Sequence, residues 1–133
     1  MTPLFKKLNL GTLQRIHVLD APESFEPELA ALDGVEIKRD ARGKVAWALA
    51  FAITQNELDK ASRALTKAAD GDAQLWIAYP KGSSKRYRCE FNRDSGWAVL
   101  KDAGFDTVRM VAIDEDWSAL RFRRAEYIKT SDK

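Results

Sequence analysis

Hydrophobic and polar positions alternate in two rhythms along this chain, and the switches between them mark its elements. Arg15-Ile-His-Val-Leu-Asp20 has the period of two expected of a strand, and Ala21-Pro22 stops it. Phe25, Leu29 and Leu32 then recur at helical spacing behind Ser24, a residue suited to an N-cap. Pro27 falls in the first turn, where its missing N–H costs nothing, and Asp33-Gly34 forms the exit. Val35-Glu-Ile-Lys38 is a short strand with a polar face, expected near a sheet edge. Asp40–Gly43 turns into the most informative strand, Val45–Ile53. Its odd positions are large (Val45, Trp47, Leu49, Phe51, Ile53) and its even positions are all alanine. Both faces are apolar, which predicts a central strand covered on both sides, with an alanine face that admits a helix closely.

Thr54-Gln-Asn-Glu57 reads as a capping box, and Leu58, Ala61, Leu65 and Ala68 continue one helical stripe up to Gly71. Leu75–Tyr79 is a buried strand that runs into the basic loop Lys81-Gly-Ser-Ser-Lys85. Asn92 is expected to cap a third helix, with Trp97, Leu100 and Ala103 pointing inward. Thr107–Asp114 is a further strand. Asp114-Glu-Asp116 is too short for a parallel crossover, so Trp117–Arg124 must return antiparallel as a hairpin. Arg121 and Arg123 share one face of that strand and read as a guard against edge pairing, which favours a monomer or a weak dimer.

Alternating strands and helices with a closing hairpin predict a three-layer α/β/α sandwich on a mostly parallel, Rossmann-type sheet. Residues 1–133 are read as a single domain, with 1–12 an irregular arm and 127–133 a frayed tail. One link stays open: about half a dozen residues join the second strand to the third, where a parallel crossover takes a dozen or so. Either a loop slips beneath the sheet, or Val35–Lys38 pairs antiparallel.

Composition narrows the partners. A chain of 133 residues buries roughly two-thirds of its unfolded surface, and 45% hydrophobic with 32% charged residues is ordinary for a globular protein. A net charge of +2 is too small to imply nucleic acid or a membrane surface. Cys89 is the only cysteine, which forbids an internal disulfide and suits a reducing, cytoplasmic setting. No secretory signal is visible. The longest uncharged run, Val45 to Asn56, falls short of the roughly twenty residues a bilayer requires.

With its terminal strand pair around Val111-Ala-Ile-Asp-Glu-Asp-Trp-Ser118, this order of elements resembles class I methyltransferases. More closely, it resembles an uncharacterised bacterial family of small domains with a methyltransferase-like fold. The residues carrying that resemblance are Asp20-Ala-Pro22, Thr54 to Leu58, the Trp-x-x-Tyr-Pro-Lys run from Trp76 to Lys81, and Asp114 to Ser118. It covers residues 8–124. Methyltransferases place a glycine-rich turn after the first strand, so that the backbone approaches S-adenosylmethionine. Asp20-Ala-Pro-Glu-Ser24 has no glycine, and its proline removes an amide donor. The second strand also lacks a following helix and third strand, and Asp40, the acidic residue that could mimic the ribose-binding carboxylate, lies two residues past that strand. S-adenosylmethionine is therefore disfavoured and no cofactor is expected; Asp20, Ala21 and Pro22 stand as a vestigial cofactor turn.

The remaining chemistry gathers in Lys81, Gly82, Ser83, Ser84 and Lys85, outside the carboxyl end of a central strand, where open α/β sheets bind ligands. Glycine permits close approach, and hydroxyls with two cations suit a phosphate or carboxylate. The Gly-x4-Gly-Lys-Ser spacing of a P-loop is absent. From Lys81 to Arg93 five basic residues interleave with Tyr87 and Phe91, a pattern that can grip nucleic acid but reads better as a solvated or salt-paired face. Asp114-Glu115-Asp116 is read as turn-shaping rather than metal-binding, His17 as a core histidine and Cys89 as inert. No nucleophile, base and orienter group together. The expected function is a non-catalytic domain that binds an anionic small molecule or a protein partner. A divergent methyltransferase and a nucleic-acid module are the alternatives.

Overall fold

The structure, a computed structural model, describes residues 2–128. One six-stranded sheet runs through it in the order β2-β1-β3-β4-β6-β5. The strands are β1 (Arg15–Leu19), β2 (Glu36–Lys38), β3 (Val45–Phe51), β4 (Ala69–Pro80), β5 (Phe105–Ala112) and β6 (Trp117–Arg124). β2, β1, β3 and β4 are mutually parallel, and β6 returns antiparallel between β4 and β5. The expected α/β sandwich with its closing hairpin is thus the observed architecture.

Helix α3 (Gln55–Ala68) forms because its N-terminus is satisfied twice over. The Thr54 hydroxyl accepts from the Glu57 amide at 3.1 Å, while the Glu57 carboxylate accepts from the amides of Thr54 and Ile53. Its Leu58, Ala61 and Leu65 pack directly on Ala48, Ala50 and Ala52 of the β3 segment. On the opposite face Trp47, Leu49 and Phe51 join Ile16, Val18, Trp76 and Ala78 in a second cluster. Val45 departs from the expected alternation. A bulge between Val45 and Trp47 turns it to the α3 side and leaves Ala46 exposed.

The short second link is resolved by register. β2 pairs parallel with β1 and stops at Lys38, level with His17, which is itself level with Ala48. The link to Val45 must therefore descend only three residues and cross two strand spacings, roughly 14 Å in all. Residues 39–44 span that distance beneath β1 on the α3 face, where Ala41 packs into the core. His17, 2% exposed, hydrogen-bonds through Nδ1 to the Asp40 carbonyl at 2.6 Å, and its buried Nε2 has no partner among the described residues.

Several local expectations are corrected. The N-terminal arm is ordered: α1 (Pro3–Lys7), capped by Thr2, leads into Leu8 and Leu10, and with Phe5 these bury against Trp47, whose indole N–H donates to the Leu8 carbonyl at 3.0 Å. Ser24 does not cap; a 3-10 turn (Glu23–Phe25) precedes α2 (Glu26–Ala30), and neither has a side-chain cap. Asn92 does not cap α4 (Ala98–Asp102) either, and Ala103 is exposed. β4 begins at Ala69, directly after α3, not at Leu75. β6 is an interior strand, so Arg121 and Arg123 guard no edge; the edges are β2 and β5. Tyr127 and Ile128 belong to α5 (Ala125–Ile128), and the rest of the expected frayed tail, 129–133, lies outside the described residues. Among the described residues no helix is long and apolar enough to cross a membrane.

Candidate functional site

At the carboxyl ends of β1 and β3 lies the crevice in which open sheets of this kind hold ligands. Asp20 leaves β1 with φ of 58°, a left-handed conformation unusual for a residue other than glycine. Asp20 and Pro22 line the crevice with Phe51, Ala52, Ile53, Glu57, Tyr87 and Trp117, while Ala21 packs into the adjoining core. The volume left is about 220 Å³, below the roughly 300 Å³ at which ligand pockets begin. Aromatic rings take up the space: Phe25–Phe51, Phe51–Trp117 and Trp117–Tyr87 centroids stand 4.9, 5.1 and 5.0 Å apart.

Tyr87 reaches the crevice because the basic loop is tied down. Ser84 donates its hydroxyl to the Asp116 carboxylate at 2.8 Å and accepts from the amides of Arg86 and Tyr87, each at 3.2 Å. The Lys81 amide donates to the Asp116 carbonyl at 2.8 Å. Asp116 is held in turn by the hairpin turn, where the Asp114 carboxylate accepts from the amides of Asp116 and Trp117 at 2.8 and 2.9 Å. The acidic run thus shapes a turn and anchors the loop.

The five loop residues divide between two concavities. Ser83, Ser84 and Lys85 border one of about 480 Å³ with Arg86, Glu115 and Asp116. Lys81, Gly82 and Ser84 border a larger cleft of about 750 Å³ at the end of β4. Tyr79 and Ser118 line the cleft from adjacent strands, both more than nine-tenths buried, with Arg88 and Arg93 also bordering it. Among the described residues the Tyr79 hydroxyl donates only to the Met110 sulfur, a weak acceptor, at 3.6 Å. Burial pushes the Tyr79 phenol and the Cys89 thiol up from their ordinary values, so at neutral pH both keep their protons. Cys89 is accordingly a poor nucleophile. Tyr87 lines both crevice and cleft and is the wall between them. Phe91, the other interleaved aromatic, is a core residue against Tyr79 and Trp97.

The N-terminus of α3 faces this region but is already occupied. Beyond the capping box, the Glu90 carboxylate accepts from the Gln55 amide at 2.8 Å, and the Glu90 amide donates to the Ile53 carbonyl at 3.0 Å. Asn92 shapes the next bend, accepting from the Asp94 amide at 2.8 Å through Oδ1 and from the Trp97 indole at 2.8 Å through its carbonyl. Among the described residues no group of three His, Cys, Asp or Glu side chains is placed to hold a metal ion.

No family model matches the sequence, and neither does any curated protein. Solved structures do match. The N-methyltransferase NodS from Bradyrhizobium japonicum is 11% identical with a TM-score of 0.57, covering 91% of this chain and 92% of its own. A magnesium protoporphyrin IX methyltransferase from Synechocystis with bound SAH is 16% identical with a TM-score of 0.56, covering 91% and 78%. LepI in complex with SAM is 12% identical with a TM-score of 0.55; 92% of this chain matches, spanning 47% of that one. At these identities the likeness establishes the fold, a methyltransferase-like Rossmann sheet closed by an antiparallel hairpin.

Proposed function

We propose that this chain is a methyltransferase-fold domain whose working site is the cleft at the end of β4, and that it takes an anionic small molecule there. The supporting observation is the pairing of buried Tyr79 and Ser118 hydroxyls with bordering Lys81 and Arg88 in about 750 Å³, beside a crevice that aromatic rings fill; of the other charged residues lining the cleft, Arg93 is paired with Asp94 at 3.7 Å and Glu90 caps α3. Buried hydroxyls together with bordering cations suit a phosphate or carboxylate, which recruits charge-assisted hydrogen bonds from both. Binding rather than turnover is the role proposed for the cleft. The test is thermal unfolding with inorganic pyrophosphate. A ligand at a hundred times its Kd adds about 2.7 kcal/mol, a shift of several degrees. The shift is expected in the native protein and absent in Lys81→Ala/Arg88→Ala.

A second reading, a divergent S-adenosylmethionine-dependent methyltransferase, is the one the structural neighbours favour, two of them solved with SAM or SAH. The left-handed Asp20 also supports it, since this conformation lets a residue other than glycine turn the chain at the place of the cofactor loop. It requires Tyr87 to leave the crevice. Stabilisation of the native protein by S-adenosylhomocysteine, enhanced in Tyr87→Ala, would install this reading in place of the first.

A further inference from the structure

Cys89 and Met110 both border the β4 cleft, and a peroxide meets their sulfurs on different terms. Cys89 is half-buried and burial pushes its thiol up, so at neutral pH it lacks the thiolate that reacts with peroxides. Met110 needs no deprotonation, because a thioether carries its lone pairs at any pH. It is also the most open large apolar side chain among the described residues, 47% exposed against 38% for Val108.

The position of Met110 is set by β5. A bulge between Thr107 and Arg109 shifts the register by one residue and places Met110 opposite Leu120, on the face that carries Ile77 and Tyr79. Leu120 is buried in the core on the α3 side, whereas Met110 stays outside it. Its side chain instead reaches across β6 to Tyr79, a residue 5% exposed, whose hydroxyl donates to the Met110 sulfur at 3.6 Å. A thioether accepts weakly, which leaves this hydroxyl under-satisfied. A buried donor so placed is stabilised by any stronger acceptor brought to it.

We propose that Met110 is a reversible oxidation site, and that its sulfoxide takes the Tyr79 hydroxyl and withdraws it from the β4 cleft. The oxidant is a hydroperoxide. A sulfur lone pair attacks one peroxide oxygen, the S–O bond forms as the O–O bond breaks, and the proton of the transferred hydroxyl passes to the leaving oxygen. With hydrogen peroxide the products are the sulfoxide and water; sulfur loses two electrons and the peroxide gains them. The new oxygen is a stronger acceptor, carried on the atom that already receives Tyr79. It competes for that hydroxyl with an anion in the cleft. The effect on anion binding rests on the cleft being an anion site; the bond between sulfoxide and hydroxyl does not.

Hydrogen peroxide is applied to the full chain at mildly acidic pH, where Cys89 keeps its proton, and the peptides are mapped by mass. Met110 is expected to gain one oxygen, which sulfoxide reductase with a dithiol removes. Oxidation should lower the Tm of Tyr79→Phe more than that of the native protein, by roughly 4 °C, because only the native protein answers the new oxygen with a hydrogen bond. It should weaken pyrophosphate binding about tenfold in the native protein and leave that of Met110→Leu, which keeps Cys89, unchanged. No oxygen on Met110, or equal Tm changes in native protein and Tyr79→Phe, would overturn the proposal. So would a pyrophosphate affinity that oxidation does not alter. A reduced protein that binds no pyrophosphate at all would remove the anion reading of the cleft, and the Tm comparison then decides the role of Met110 by itself.

Discussion

Replacing Ser84 by alanine tests the device that separates the crevice from the cleft. The Ser84 hydroxyl makes three contacts at once, donating to the Asp116 carboxylate at 2.8 Å and accepting from two loop amides at 3.2 Å. A hydrogen bond to a charged group contributes about 1.5–3 kcal/mol. Ser84 is only part-buried, so water can replace some of what is lost and the lower end applies. The two amides lie in a loop that can turn them to solvent, and they add little. About 1.5 kcal/mol is roughly tenfold in an equilibrium, which sets the gain in the population with Tyr87 withdrawn from Trp117. If the loop opens only on global unfolding, the same energy lowers Tm by roughly 5 °C for a domain of this size. If it opens locally, Tm changes little and amide exchange between residues 82 and 88 rises about tenfold. Both quantities are measured on the same pair of proteins, together with tryptophan fluorescence as a monitor of the Tyr87–Trp117 contact. Unchanged Tm with unchanged exchange would refute the latch.

Thr54→Ala should cost about 1 kcal/mol in urea unfolding, the usual value of a lost N-cap. Backbone amides of Thr54 and Ile53 hold the Glu57 carboxyl below its ordinary value of 4.5. A carboxyl with a lowered folded-state pKa contributes stability above its unfolded pKa and loses it as pH falls through the folded one. The stability gap between native protein and Glu57→Gln is therefore expected to be full at neutral pH and to close below 4.5, and a constant gap would contradict the capping role. Gly96 has φ of 103°, and a Cβ there would meet Phe91 Cβ at 2.7 Å and Gln55 Oε1 at 2.8 Å. Gly96→Ala should accordingly lose at least about 2 kcal/mol through strain and overpacking. Asp72→Asn removes the fork on Arg123, a partly exposed pair, and should cost up to about 1 kcal/mol at low salt and less at high salt.

What could be read from the chain depended on how local its cause was. The alternation of Ala48, Ala50 and Ala52 with Trp47, Leu49 and Phe51 announces a strand buried on both faces, since a period of two puts the bulky residues on one side and the alanines on the other. The Thr54–Glu57 box is complete within four residues and was equally legible. Ser24 and Asn92 misled because the side chains that cap helices also shape bends, and Asn92 takes the bend. The helices concerned have five residues each, too few for propensity to outweigh packing. Phe5, Leu8 and Leu10 carried a signal in their spacing, but one turn of helix shows no period. The loop's position at a strand end followed from sequence. Its tie to Asp116, 32 residues away, did not. Nor did strand order, which moves Arg121 and Arg123 from an edge to an interior strand, where Asp72 grips Arg123 in place of the expected guard.

The crevice and the cleft belong to one loop, and this makes the two functional readings exclusive at any instant. Lys81 to Glu90 is pinned at three points: its start by the Asp116 carbonyl, its middle by the Ser84–Asp116 bond, its end by the Glu90–Ile53 backbone bond. Between the second and third pins Tyr87 is placed against Trp117, so that the same segment closes the space beside Asp20 and builds the wall of the cleft. Moving Tyr87 aside to admit a cofactor removes the wall from the cleft; keeping the wall denies the crevice its volume. An anion in the cleft, drawing Lys81 and Arg88 inward, would hold the wall in place and oppose cofactor entry. By linkage, a cofactor that entered would weaken the anion by the same factor. A pyrophosphate titration of the native protein with and without S-adenosylhomocysteine measures that factor. A value different from one requires the loop to couple the two spaces; a value of one with both ligands bound would show that they are independent and that Tyr87 is packing alone.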